Sequence, residues 1–471
     1  MKRVIWLLLL VCFSTSTFAA SPNILFVFTD DQGPWALGAS GNGNIKTPNM
    51  DRLVEEGAYC VNSFVTTPVC SPSRVGLLTS RYGTEVGITD WINPYTHRPL
   101  VNEQELGVEQ PASSWVQELK DAGYATALIG KWHLGIQDRH LPEHFGYDYF
   151  YGFREGGNKV KEPTLEFAGK KDVVEGLTTD ILTDAALNYL DKRDQKKPFM
   201  LSVHYRAPHA PWLPVAEGDW DTVKDTDLTL PNPDYPDLDL EAVENKMREY
   251  LASVAGVDRN LGRLLTYLDE NELSEDTIVI FTSDHGYNVG HHGVIHKGNA
   301  TWITKSVKNM KEAERRRPNM WDTSIRVPNI VRWPGKIETG SKVTETLSNL
   351  DWYPTLVAMA GQDVKAEQPV RGNNFLPLLL GESMDWDNNL YGEYSMHHGA
   401  TADMRMYRMP QWKLIRHFED PAKDELYHLA SDPDETCNLI LETHCQPIIS
   451  ILHEAILHEM IVNGDDLLAS K

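Results

Sequence analysis

With 471 residues the chain has room for one large domain and a smaller companion. Its 67 acidic side chains outnumber 44 basic ones, for a net charge of -23, which argues against a broad nucleic-acid surface and means that any anionic ligand must be met by locally focused positive charge. Beyond the first few residues no apolar run reaches the length of a membrane span.

The chain starts with Met1-Lys2-Arg3, an apolar run over residues 4–13 and the small-residue pattern Thr17-Phe18-Ala19, which reads as a secretory signal over residues 1–19 and predicts export to a periplasm or the medium. Residues 23–29 form an apolar run read as a buried strand, and they deliver Asp30-Asp31-Gln32-Gly33. Cys70-Ser71-Pro72-Ser73-Arg74 opens a helix that continues through Leu77, Leu78 and Arg81, with Pro72 tolerated in its first turn. Val116, Leu119 and Lys120 precede a glycine stop at Gly123, and a second strand over 125–130 delivers Lys131-Trp132-His133. A helix over 181–190 leads into a third strand, 198–203, which runs on to Arg206-Ala207-Pro208-His209. The Pro-Asp run 231–239 is a loop, 241–268 is a long helix, and the strand 277–282 delivers Ser283-Asp284-His285-Gly286. Four apolar runs each ending in a polar cluster predict a mainly parallel α/β sheet with its ligand edge at the strand C-termini. Lys305, Lys308, Lys311, Arg315, Arg316 and Arg317 follow in a basic stretch, read either as a solvated face or as a loop over the pocket. Past residue 371 short strands at 391–394, 413–417 and 425–429 and a helix over 448–461 predict a small antiparallel α+β domain. The expected division is therefore 20–370 and 371–471.

The spacing C-x-P-x-R at Cys70, Pro72 and Arg74 resembles the maturation signature of type I, formylglycine-dependent sulfatases. In this order that family carries an aspartate pair, G-K-W-H, A-P-H and S-D-[NH]-G, all matched between residues 23 and 360. The resemblance implies an alkaline-phosphatase-like sandwich and hydrolysis of sulfate monoesters. It implies that Cys70 is oxidised to 3-oxoalanine by a formylglycine-generating or anaerobic sulfatase-maturating enzyme. One Ca2+ is expected on Asp30, Asp31, Asp284 and His285, the last standing where many relatives have asparagine. Arg74 holds the modified residue, Lys131 and Lys297 clamp sulfate oxygens, His133 deprotonates the second hydroxyl of the hydrate, and His209 protonates the leaving alcohol. Arg206, His292, Arg315, Arg316, Arg317, His397 and His398 are candidate contacts to a sulfated carbohydrate.

Other readings stay open at this level. Cys70 taken alone is a small buried residue before a helix. His292 and His296 stand four apart with His291 beside them, as in helical zinc sites, but Gly290, Gly293 and Gly298 disfavour a helix there. Cys437 and Cys445 are near enough in sequence to pair in an oxidising compartment. A phosphonate or phosphodiester hydrolase, or a sulfated-glycan-binding protein whose Cys70 stays a thiol, would share much of the pattern.

Overall fold

The structure, a computed structural model, describes residues 21–95, 102–110 and 112–468. The expected signal segment lies outside the described residues. At the centre is a ten-stranded sheet whose order, by residue range, is 341–343, 58–60, 329–332, 277–283, 23–29, 199–204, 125–131, 149–153, 164–167 and 170–173. The five strands from 277–283 to 149–153 run parallel. Strand Asn23–Thr29 lies between Phe199–His204 and Thr277–Ser283, and its alternate residues feed two cores: Leu25 and Val27 face one side, Ile24, Phe26 and Phe28 the other. That is why its sequence is a continuous apolar run rather than an alternation.

Helices cover both faces. Pro48–Glu56, Thr178–Lys192 and the long Leu240–Glu270 pack on the first, while Cys70–Thr79, Trp115–Asp121 and Trp352–Met359 pack on the second. Among the described residues no helix is long and apolar enough to cross a membrane. A four-stranded antiparallel sheet, Leu390–Met396, Ala402–Arg408, Trp412–His417 and Glu425–His428, carries the helix Gln446–Asn463 on one face. Its other face shares a core with Phe64, Val69, Met320 and Trp321 of the large unit.

Several local expectations are corrected. The helix from Cys70 stops at Thr79, capped by Ser80 in the left-handed region (φ 55°), so Arg81 lies beyond it. Strand Ala402–Arg408 has no counterpart in the sequence reading, although Ala402, Met404 and Met406 alternate with Asp403 and Arg405; Arg405 is buried against Asp465. In agreement with the glycines around it, His291–Gly293 is a single turn with His292 at φ 52° rather than a helix, and His292 stacks on Trp321 at 4.1 Å. Cys437 and Cys445 are both free: Cys445 is buried in the core under the terminal helix and Cys437 is exposed. The basic stretch is two short turns followed by strand Arg316–Pro318, which pairs with Asn299–Trp302 in a second four-stranded antiparallel sheet.

Candidate active site

Parallel pairing puts the ends of four strands side by side, and with them Asp30 and Asp31, Asp284 and His285, Lys131 and His133, and the Arg206–His209 turn. Cys70 meets them from the other direction as the first residue of its helix, where backbone N–H groups and the helix dipole favour a negatively charged neighbour. Lys131 Nζ donates to Asp30 at 2.7 Å and Lys297 Nζ to Asp31 at 2.6 Å, all four side chains being buried. Lys297 Nζ also reaches Cys70 Sγ at 2.9 Å. Arg74 Nε donates to Asp284 at 3.0 Å and its Nη1 to the Lys131 carbonyl at 3.2 Å, whereas Nη2 is buried with no protein partner among the described residues. Ser73 Oγ donates to the Asp284 backbone carbonyl, tying the cysteine helix to the strand end.

The backbone is bent hard here. Asp31, His133 and His296 all occupy positive φ, at 72°, 60° and 83°, a conformation that non-glycine residues hold only when their surroundings enforce it. For Asp31 the enforcing contacts are its N–H on Asp284 at 3.1 Å and its carbonyl accepting from Tyr250 Oη at 2.9 Å.

The donor set fits a divalent cation. The ligand atoms of Asp30, Cys70, Asp284 and His285 lie within 4.8 Å of one another, as do those of Asp30, Asp31, Cys70 and His209. His285 Nδ1 donates to the Gly286 carbonyl at 2.9 Å, which leaves the Nε2 lone pair facing Asp31 at 3.2 Å and Asp284 at 3.3 Å. Acceptors converging on acceptors in a buried site are what a cation resolves. Electrostatics agree: burial first, then neighbouring Asp30, pushes the Asp284 carboxyl up to about 7. Burial would also raise Asp30, but Lys131, His209, Lys297 and Arg74 outweigh it and hold the carboxyl well below its usual range. Burial lowers the Lys297 ammonium's proton affinity, yet Asp31 and Cys70 more than reverse this, so it stays charged.

Both histidines expected to move protons face the site. His133 Nε2 donates to the Ile92 carbonyl at 2.9 Å, so its neutral ring presents a bare Nδ1, buried and without a protein partner among the described residues. Burial pushes it well below the ordinary imidazole value. His209 Nδ1 faces the Ala210 carbonyl at 2.6 Å, while Nε2 stands 4.0 Å from Asp31 with 27% of the side chain open. Enclosure in the cleft, opposed by Asp31 and Asp30, brings it down to about 4.

Asp31, Cys70, His133, His209 and Lys297 line a cleft of about 1100 Å3, walled also by Trp91–Tyr95, Trp212, Lys246 and Arg316. Of the expected substrate contacts only Arg316 lines it. Arg206 spends its guanidinium on the backbone carbonyls of Asn158 and Pro211, Arg317 pairs with Glu425 at 2.8 Å, and Arg315 is exposed with Nε on the Met310 carbonyl. His292 lies against Trp321, and His397 is exposed beside Thr89 Oγ1 at 3.3 Å. His398 is clamped between Asp90 at 2.9 Å and Glu103 at 3.0 Å. Sequence reasoning missed Ile92, whose carbonyl orients His133, and Lys246 and Trp212, which have no motif to mark them.

With that geometry in view, comparison with known proteins is direct. The sulfatase family model matches residues 22–362, and a model for the C-terminal part of N-sulphoglucosamine sulphohydrolase matches 315–461. N-acetylglucosamine-6-O-sulfatase of Bacteroides thetaiotaomicron is 28% identical over 89% of this chain and 82% of its own length. Steryl-sulfatase of Homo sapiens is 30% identical, covering 83% of this chain and 75% of its own. A solved structure in complex with its substrate D-glucosamine-2-N,6-O-disulfate superposes with a TM-score of 0.79 at 26% identity, over 95% of this chain and 99% of the other. The chain therefore belongs to the sulfatase family and is a sulfuric ester hydrolase.

Proposed function

We propose that this enzyme removes sulfate from a sulfated saccharide through a formylglycine made from Cys70, with one calcium ion on Asp30, Asp31, Asp284 and His285. The observation that carries the reading is Cys70 itself: a buried residue at a helix N-terminus, on the floor of a saccharide-sized cleft, within 3.6 Å of Lys297, His285 and Asp30. Three carboxylates are hard donors suited to calcium. The relatives that act on N-acetylglucosamine 6-sulfate or bind a glucosamine disulfate support the saccharide class. Export by residues 1–19, to a periplasm or the medium, and maturation by a formylglycine-generating or anaerobic sulfatase-maturating enzyme belong to the same proposal.

When present, a hydrated aldehyde at position 70 supplies a gem-diol nucleophile, and the cation withdraws charge from the sulfate oxygens. The chain's own groups do the rest. Lys131 and Lys297 are already fixed by carboxylates, so they meet the ester's negative charge without reorganising. The unpartnered Arg74 Nη2 is a further donor toward residue 70 or a sulfate oxygen. His133, its proton held on Nε2 by Ile92, takes a proton at Nδ1. His209 gives a proton from Nε2 to the departing alcohol; an anionic ester beside it offsets the burial that otherwise keeps the ring neutral.

Two measurements test this. Mass spectrometry of the peptide containing Cys70 is expected to show the aldehyde or its hydrate in active enzyme, and an active preparation with wholly unmodified thiol would overturn the mechanism. Product analysis on defined sulfated oligosaccharides is expected to show desulfation, with Cys70→Ala inactive. Faster turnover of an aryl phosphodiester than of an aryl sulfate would favour the phosphodiesterase alternative.

A further inference from the structure

Strand Arg316–Pro318 lies at the edge of the small antiparallel sheet, and alternation along a strand sends neighbouring side chains to opposite faces. Arg317 turns away from the cleft, paired with Glu425 and lying 4.8 Å from the ring centroid of Trp321. Arg316 turns into the cleft that contains Cys70. Its Nη1 donates to the Asn299 backbone carbonyl at 3.3 Å, and Gly399 closes against the guanidinium so tightly that a Cβ there would stand 2.8 Å from Nε. A second cation enters from helix Leu240–Glu270. Lys246 Nζ sits 5.6 Å from the ring centroid of Trp212, a buried ring held edge-on by Tyr250 and Tyr287. Lys246 and Arg316 line the same cleft as His296 and Lys297.

Among the described residues neither Lys246 nor Arg316 forms an ion pair with a carboxylate. In a chain with 67 acidic side chains this is notable, because half-buried cations without counterions are disfavoured unless something else neutralises them. The carboxylates lining the cleft are mostly engaged: Asp31 by Lys297, Glu155 by Lys171 and Glu166 by Arg154. Glu249, three residues beyond Lys246 on the same helix, is the lining carboxylate left over, against two cations.

We propose that Lys246 and Arg316 form a second anion subsite beside the sulfate-cleaving centre, taking a further sulfate or a uronate carboxylate of the same substrate. The ligand's sugar skeleton rests on the saccharide reading above, whereas the preference for a second negative charge does not. A substrate with two anions spaced to reach both points is drawn in and oriented; one with a single sulfate uses only the Cys70 end.

The test uses mature, metal-loaded enzyme and the variants Lys246→Met, which keeps the stem over Trp212, and Arg316→Gln, which keeps a polar group against Asn299. Benzenesulfonate and benzenedisulfonate, neither of them hydrolysable at sulfur, are compared as competitive inhibitors of aryl sulfate turnover. The wild type is expected to bind the disulfonate more tightly, and each variant to reduce that preference about tenfold, the usual effect of losing one hydrogen bond to a charged group. An unchanged ratio in the double variant with its melting temperature retained, or equal losses on both inhibitors, would overturn the subsite. Turnover of matched disaccharides carrying one sulfate, two sulfates, or one sulfate and a uronate then identifies the second anion. Should the wild type cleave none of them while the sulfonate preference still collapses in the variants, the saccharide reading fails and the subsite stands.

Discussion

His398→Ala probes a chain of contacts that ends at the proposed base. Both ring nitrogens of His398 face buried carboxylates, Asp90 at 2.9 Å and Glu103 at 3.0 Å. Those carboxylates anchor the cleft-wall loop: Asp90 accepts from the Trp91 N–H at 2.8 Å and Glu103 from the Asn93 N–H at 2.7 Å, with Ile92 between them. The Ile92 carbonyl in turn holds His133 Nε2. Two hydrogen bonds to charged groups are worth about 1.5–3 kcal/mol each. Asp90 keeps the His397 N–H at 2.7 Å and the Tyr394 hydroxyl at 3.3 Å, so the lower end applies and the loss is about 3 kcal/mol. Falling on one loop rather than on the core, that is about a hundredfold shift of the loop toward open forms. With small aryl sulfates kcat is expected to drop about tenfold or more while KM changes less, the melting temperature stays near wild type, and hydrogen exchange accelerates at residues 90–95. Retained kcat despite faster exchange in this loop would refute the positioning argument, as would a loss of kcat with exchange unchanged.

Asp284→Ala is expected to abolish turnover and release one divalent ion, read by elemental analysis; Asp284→Asn, which keeps the contact to Arg74 in shape, should do the same if folding is spared. Full activity of chelated wild type with no detectable metal would count against the cation. Lys297→Met is expected to cost about a hundredfold or more in kcat/KM on any sulfate ester, the usual loss for a preorganised charge-stabilising donor, and an effect below threefold would remove it from the site. Far from the cleft, burial pushes the Asp258 carboxyl up to about 6, against the N–H groups of Asn49 and Met50 that oppose the rise. A raised folded-state value means the native protein holds this proton more tightly than the unfolded chain, so the contribution is present below about 4 and lost as pH climbs through about 6. Urea unfolding of Asp258→Asn against wild type should therefore favour the variant increasingly from pH 4 to 7.5, by about 3 kcal/mol at most; a pH-independent difference would show that the carboxyl titrates normally.

The candidate catalytic groups were legible because each is carried by a short contiguous signal. An apolar run followed by Asp30-Asp31, Lys131-Trp132-His133 or Ser283-Asp284-His285 encodes both the strand and what stands at its end, and parallel pairing does the assembly. The short outer strands were not legible: Lys170–Val173 is exposed along its length and has no apolar pattern to betray it. Ala402–Arg408 differs, since Ala402, Met404 and Met406 alternate with Asp403 and Arg405 and the pattern was overlooked; only the structure shows Arg405 buried against Asp465.

The amino-acid sequence by itself determined the chemistry of this protein: the thiol before Pro72 and Arg74, the acidic pair, the lysines and the imidazoles, together with a sheet that must bring them to one edge. Only the tertiary structure decided which way equivalent residues face. Arg316 and Arg317 are chemically identical neighbours, yet strand register sends one into the cleft and the other to Glu425. His398 is a loop clamp because Asp90 and Glu103, some three hundred residues earlier, close on it. Lys246 faces the cleft because a helix of 31 residues passes beside it. Side-chain identity and period are local properties that a sequence displays, whereas register, left-handed turns such as those at Asp31 and His133, and the partners of a charge arise from contacts between distant segments, and these exist only once the chain has packed.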